Sequence, residues 1–171
     1  MSARVVGLVA AAVLTMGASS PVSAQSKSYD CAAGGGQFTQ LTRESAGGKP
    51  AVSGQVQVKQ LRSDDKLLPT ATVRVSTKKD FVALQLTPIA PDSQSVLIRV
   101  RNGTGAHEEF EELGTLTLNE PLAFRIDLLK GEVRVTAGNQ SVTVQQLMRG
   151  DRTVALTCST GAFEFKNLTF G

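Results

Sequence analysis

Five arginines are the residues best placed for chemistry in this chain: Arg74, Arg99, Arg101, Arg125 and Arg134. Each lies in a run where apolar and polar residues alternate, and each takes a polar position beside valine, isoleucine or phenylalanine. Successive side chains of an extended strand point to opposite faces, so these guanidinium groups stand opposite the apolar residues. A guanidinium fork bonds carboxylate or sulfate through parallel N–H donors. Several forks on one sheet would therefore suit an acidic polysaccharide or another anionic partner. Sheet exteriors also carry mixed charge without any ligand, and Asp127, Glu132 and Glu164 are available to neutralise such a face.

The second group is acidic. His107-Glu108-Glu109-Phe110-Glu111-Glu112 is the one stretch with the residue types of a general acid and base. On a strand, Glu109 and Glu111 share one face and Glu108 and Glu112 the other. Retaining glycosidases need two carboxylates about 5 Å apart. A solvated acidic edge strand has the same composition and needs no substrate. His107 is the sole histidine, which excludes any mechanism or metal site that needs two imidazoles. No GxSxG elbow presents a nucleophile. Ala32-Ala33-Gly34-Gly35-Gly36 lacks the Lys-Ser/Thr of a phosphate loop and reads as a flexible approach to a strand beginning at Gln37. Asp64-Asp65 is too sparse for a calcium loop and reads as a turn. No cofactor or metal is expected.

The elements that must position these groups are strands. Period-two alternation recurs at Val52-Val56-Val58, Val73-Val75, Val82-Leu84-Leu86, Val96-Ile98-Val100, Leu116-Leu118, Leu122-Phe124-Ile126-Leu128, Val133-Val135, Val142-Val144 and Val154-Leu156. Turn-forming residues separate the runs at Lys78-Lys79-Asp80, residues 88–93, Asn102-Gly103, Lys130-Gly131, Gly138-Asn139 and Gly150-Asp151. Only residues 106–113 allow a second reading, as a helical turn or two in place of an acidic edge strand. Ten or eleven short strands with no dividing linker predict a single all-β domain, a two-sheet antiparallel β-sandwich.

The C-terminal run Cys158-Ser159-Thr160-Gly161-Ala162-Phe163-Glu164-Phe165-Lys166-Asn167-Leu168 resembles the closing strand of concanavalin A-like lectin and glucanase domains, laminin-G-like modules among them. Phe124-Arg125-Ile126-Asp127 with Gly131-Glu132-Val133-Arg134-Val135 resembles the adjoining hairpin. The likeness covers residues 121–171, with only a strand rhythm shared over 37–120. It implies a jelly roll with one concave sheet, a fold that hosts enzymes, lectins and structural modules alike. Glucanases of this fold carry Glu, Asp and Glu at alternate positions beside an aromatic platform. Here the central Asp is missing, and the chain has no Trp and one Tyr.

Residues 1–24 read as a signal peptide: Arg4, an uncharged apolar run from Val5 to Met16, and Val22-Ser23-Ala24 before the cut. That run is about a dozen residues, short of the ~20 that span a bilayer. Residues 25–171 then form the mature domain, and the formal charge falls from +3 to +2. The balance of 18 basic against 15 acidic residues gives no footprint for nucleic acid. Export to the periplasm or the extracellular space favours a disulfide between Cys31 and Cys158, which would make the first and last strands neighbours. Sequons at Asn102, Asn139 and Asn167 matter only in a glycosylating host.

The expectation is therefore an exported, disulfide-closed sandwich that binds a glycan or another envelope macromolecule without catalysis. Against glycan binding stands the missing Trp/Tyr stacking platform. A structural or protein-binding module is the first alternative. A polysaccharide hydrolase or lyase is the second, and it needs an acid or base such as Tyr29, His107 or a glutamate to converge with the arginines.

Overall fold

A computed structural model describes residues 27–45, 50–62, 64, 66–104 and 107–171, and residues 1–24, read from the sequence as a signal peptide, lie outside them. Ten antiparallel strands make up the described residues, with no helix among them: β1 (Lys27–Ser45), β2 (Val52–Leu61), β3 (Thr70–Ser76), β4 (Asp80–Pro88), β5 (Ser95–Thr104), β6 (His107–Thr117), β7 (Pro121–Leu128), β8 (Val133–Ala137), β9 (Gln140–Val144) and β10 (Arg152–Phe170). Residues 107–113 belong to the acidic edge strand β6, not to a helical turn. The glycine run 34–36 lies inside β1 rather than before it. Tyr29, named above as a possible acid or base, also belongs to β1 and stacks on Phe165 at 6.0 Å.

Strands β1 and β10, 19 residues each, run through the whole molecule. Residues 152–159 of β10 pair with β3 and with residues 38–45 of β1. Residues 161–170 pair with β2, and residues 162–168 with residues 27–32 of β1. The continuous order β6-β5-β4-β3-β10-β2-β7-β8-β9 thus folds at the middle of β10 into two sheets. Sheet I is β6-β5-β4-β3-β10-β1 and sheet II is β1-β10-β2-β7-β8-β9.

The fold line has local causes. Thr160 sits at φ 47, a left-handed conformation uncommon for a β-branched residue, and Gly36, in the unpaired stretch of β1 between Ala33 and Phe38, is at φ 65. The backbone N–H of Arg62 donates to the Thr160 carbonyl at 3.1 Å. Cys31, paired with Phe163 in sheet II, is bonded to Cys158, which pairs with Thr39 in sheet I. The disulfide therefore straps the crease from inside the core, where both cysteines are buried. The first and last strands are neighbours along their length.

Between the sheets, Val73, Val75, Leu84, Leu86 and Leu156 pack against Val56, Ile126, Val135, Phe163 and Phe165, all fully buried. Each is one member of an alternating run, so the residues between them must face outward. The molecule consequently has two outward faces, one per sheet, and the candidate arginines divide between them.

Candidate functional site on the outward face of sheet I

Strand register sets the outward side chains of sheet I in rows that cross the strands. One row reads Gln40, Thr157, Thr72, Gln85, Arg99 and Glu112 from β1 to β6. The next reads Thr42, Ala155, Arg74, Ala83, Arg101 and Phe110. Arg99 and Arg101 are two residues apart on β5, so their Cα atoms are about 7 Å apart on one face, and Arg74 lies two strands away, about 10 Å from Arg101. The centre of the face is low, built from alanine, threonine and glutamine. Arginine and phenylalanine rise around it.

Each arginine is held by a different contact. The Arg74 guanidinium lies 4.0 Å above the Phe81 ring, a cation–π seat that covers the ring almost completely. Gly103 makes room for that ring, since a Cβ there would collide with Phe81 and with the His107 carbonyl. Burial lowers the Arg74 pKa from its ordinary value. The Glu108 carboxylate opposes that shift and the Arg101 charge adds to it. Arg74 nonetheless stays cationic at any physiological pH. Arg101 donates to the Glu108 carboxylate. Arg99 sits 5.5 Å from the Phe110 ring, and its buried Nε has no hydrogen-bond partner among the described residues.

The other two arginines are elsewhere. Arg125 of β7 and Arg134 of β8 point outward from sheet II, so the structure does not gather all five on one face. Arg125 donates to Asp127 at 2.7 Å, and this hydrogen-bonded pair raises its pKa. Arg134 lies 4.0 Å from Glu132. Glu164, on the same face, takes Lys166 at 2.8 Å and Lys59 at 3.1 Å, which hold its carboxyl below the usual glutamate value. Sheet II thus carries its charge already paired.

The acidic strand also resolves by parity. Glu108 and Glu112, with Phe110 between them, share the arginine face, whereas His107, Glu109 and Glu111 have the opposite parity. Convergence of His107 with Glu109 or Glu111 on the arginines does not occur. Phe110, not an aspartate, lies between Glu108 and Glu112 on this face, and Glu108 is committed to Arg101. Tyr29 packs on the far sheet. Among the described residues no group of three His, Cys, Asp or Glu side chains is placed to hold a metal ion.

Sequence reading missed several members of this face. Phe38 and Phe110 are 69% and 66% exposed, so exposed aromatic surface exists where Trp and Tyr are lacking. Gln40, Thr72, Gln85 and Thr157 form the polar floor. Their signal was the parity of the alternating runs, which names the outward residues of each strand but not which strands adjoin. A separate cleft of about 740 Å³ opens at the loop rim, lined by Lys59, Arg62, Leu68, Ile89, Asn119 and neighbouring residues. It includes none of the five candidate arginines.

Solved structures with this arrangement include an alginate lyase from Alteromonas sp. 272, with a TM-score of 0.56 at 14% identity over 89% of this chain and 90% of that one. The fold is the concanavalin A-like jelly roll. CG-16, a homodimeric agglutinin from chicken liver, aligns with a TM-score of 0.53 at 15% identity, covering 78% of this chain and all of the other. The carbohydrate-binding module CBM66 from Bacillus subtilis aligns at 0.52 with 10% identity, over 82% of this jelly roll and 84% of that module. No protein-family model matches the chain, and no curated protein matches it in sequence.

Proposed function

We propose that this jelly-roll protein is exported and binds an acidic polysaccharide, without chemistry, across the outward face of sheet I. The observation that carries the reading is the gathering of Arg74, Arg99 and Arg101 over a low polar floor, with Arg74 and Arg99 lying against rings and not against carboxylates. Carboxylate or sulfate groups of the glycan would take the guanidinium forks, and sugar hydroxyls would bond Gln40, Thr72, Gln85 and Thr157. The solved structures of like fold include a carbohydrate-binding module and an agglutinin, which supports a glycan reading over an unrelated role.

The test is binding of the mature protein to neutral and acidic polysaccharides at low and raised salt. Binding should be confined to acidic glycans and should weaken with salt. Charge-assisted hydrogen bonds contribute about 1.5–3 kcal/mol each, so Arg99→Ala should lose roughly tenfold or more and Arg99→Ala/Arg101→Ala more still. Arg125→Ala/Arg134→Ala should bind as the parent does. Equal affinity for neutral glycans, or loss on the sheet II variant, would overturn the reading. No binding at all would shift it to an envelope protein partner, sought by pull-down.

A hydrolase or lyase reading keeps one specific support, the pair Glu108 and Glu112 flanking Phe110 on the same face as the arginines. Incubation of each bound glycan with the protein, read as new reducing ends or as absorbance of an unsaturated product, decides it. Export is checked by mass spectrometry of the secreted protein, whose N-terminus should follow Ala24.

A further inference from the structure

The seven phenylalanines of this chain are not distributed evenly. Phe81, Phe124, Phe163 and Phe165 are buried, and Phe170 packs partly against the core. The remaining two, Phe38 and Phe110, are both about two-thirds exposed. Both lie on the outward face of sheet I. Phe38 shares a row with Ser159, one step beyond the row of Gln40 and Thr157, whereas Phe110 shares a row with Arg101. They occupy the two lateral edge strands, β1 and β6, with four strands between them. At about 4.8 Å per strand, the face from one ring to the other is about 25 Å wide.

Single exposed apolar residues need no explanation. Here, however, the two exposed phenylalanine rings among the described residues bracket the same low floor and the same three arginines. An aromatic ring offers its face to the C–H side of a sugar and so supplies apolar contact where a polar floor supplies hydrogen bonds. Phe110 is already oriented by Arg99, whose guanidinium lies 5.5 Å from its ring. Among the described residues sheet II has no exposed ring to match these: Arg125, Arg134, Lys59 and Lys166 lie beside carboxylates, and Lys27, 6.0 Å from Phe170, lies over a ring packed partly against the core.

We infer that Phe38 and Phe110 are terminal stacking platforms for a linear acidic glycan that runs across the strands of sheet I, so that the site measures ligand length. This inference rests on the glycan reading proposed above. Short oligosaccharides engage the arginines alone. A chain long enough to cover about 25 Å reaches both rings and gains a further increment of affinity.

The test is calorimetric titration with a length series of one acidic oligosaccharide, from two to eight sugars, against the parent, Phe38→Ala, Phe110→Ala and Phe38→Leu. The parent should show affinity rising with length and then levelling once the ligand spans the face. Phe38→Ala should bind the shortest ligands within about twofold of the parent yet lose about three- to tenfold on the longest, as expected for a lost aromatic contact of ~0.5–1.5 kcal/mol. Phe110→Ala also removes the ring against which Arg99 lies, so it should weaken binding at every length and by about three- to tenfold more on the longest. Phe38→Leu keeps apolar area without a ring face and should behave like Phe38→Ala. Circular dichroism and urea unfolding check that each variant is folded. A parental length profile in both alanine variants, with short ligands still bound, overturns this inference and leaves the glycan reading intact. Failure of every length to bind the parent overturns both.

Discussion

The outward faces of sheets I and II come from the same alternating pattern and carry similar numbers of arginines, yet they are electrostatically different objects. On sheet II every basic side chain that points outward from the centre has a carboxylate at hand: Arg125 on Asp127, Arg134 near Glu132, Lys59 and Lys166 on Glu164. On sheet I, Arg74 and Arg99 lie over aromatic rings and only Arg101 is ion-paired. A carboxylate neighbour satisfies an arginine and hides it from a ligand. A ring holds the guanidinium in place and leaves its donors free for an incoming anion. Pairing chemistry, not the count of charges, separates a solvated face from a candidate binding face.

The largest expected effect removes the strap that keeps the two faces apart. Cys31→Ser/Cys158→Ser opens a loop of 127 residues and should cost about 4–5 kcal/mol in urea unfolding, on the chain-entropy account. If the double variant is as stable as the parent, the crease is held by packing alone. Next, Phe81→Ala removes the buried ring beneath Arg74 and should cost about 2–3 kcal/mol. It should also weaken acidic-glycan binding, which no packing change on sheet II should do. Unchanged binding in a folded Phe81→Ala protein would show that the ring does not position Arg74.

Glu108→Gln sharpens the contrast in the other direction. It releases Arg101 from its internal carboxylate, and because exposed ion pairs are worth about 0–1 kcal/mol, acidic-glycan affinity should rise up to about fivefold with little change in stability. A fall in affinity would mean that Glu108 itself contacts the ligand. The smallest effect belongs to sheet II. Lys166 and Lys59 depress the Glu164 pKa, so the folded state takes up that proton less readily than the unfolded chain. The stability this group contributes is present above the ordinary glutamate value and is lost as pH falls through the lowered one. Glu164→Gln should therefore flatten the acid limb of stability measured by urea unfolding at stepped pH, and an unaltered acid limb would place the sensitivity elsewhere.

Much of the fold was legible in the residues themselves. Valine at every second position announces a half-buried strand, and the Cys31 and Cys158 pair made β1 and β10 neighbours before any coordinates did. The closing run from Cys158 carried the jelly-roll likeness. Misreadings fell where local signals are weak. The glycines at 34–36 suggested a loose approach, but they lie at the crease of a continuous strand, between the register steps at Ala33 and Phe38. Absence of Trp and scarcity of Tyr argued against stacking, because composition does not tell which of seven phenylalanines point outward.

By itself the sequence determined which side of its own strand each residue takes, because side-chain alternation is a local property of the extended backbone. That was enough to set Arg74, Arg99, Arg101, Arg125 and Arg134 opposite the core. Only the tertiary structure decided which of them meet. Neighbours across a sheet come from strand order, and that order places β3, β4 and β5 side by side while the crease at Thr160 carries β7 and β8 to the far side. Three arginines share a face with Phe38 and Phe110 because hydrogen-bond register joins residues as far apart in the chain as Phe38 and Ser159 or Arg74 and Ala155, a relation that no local pattern encodes.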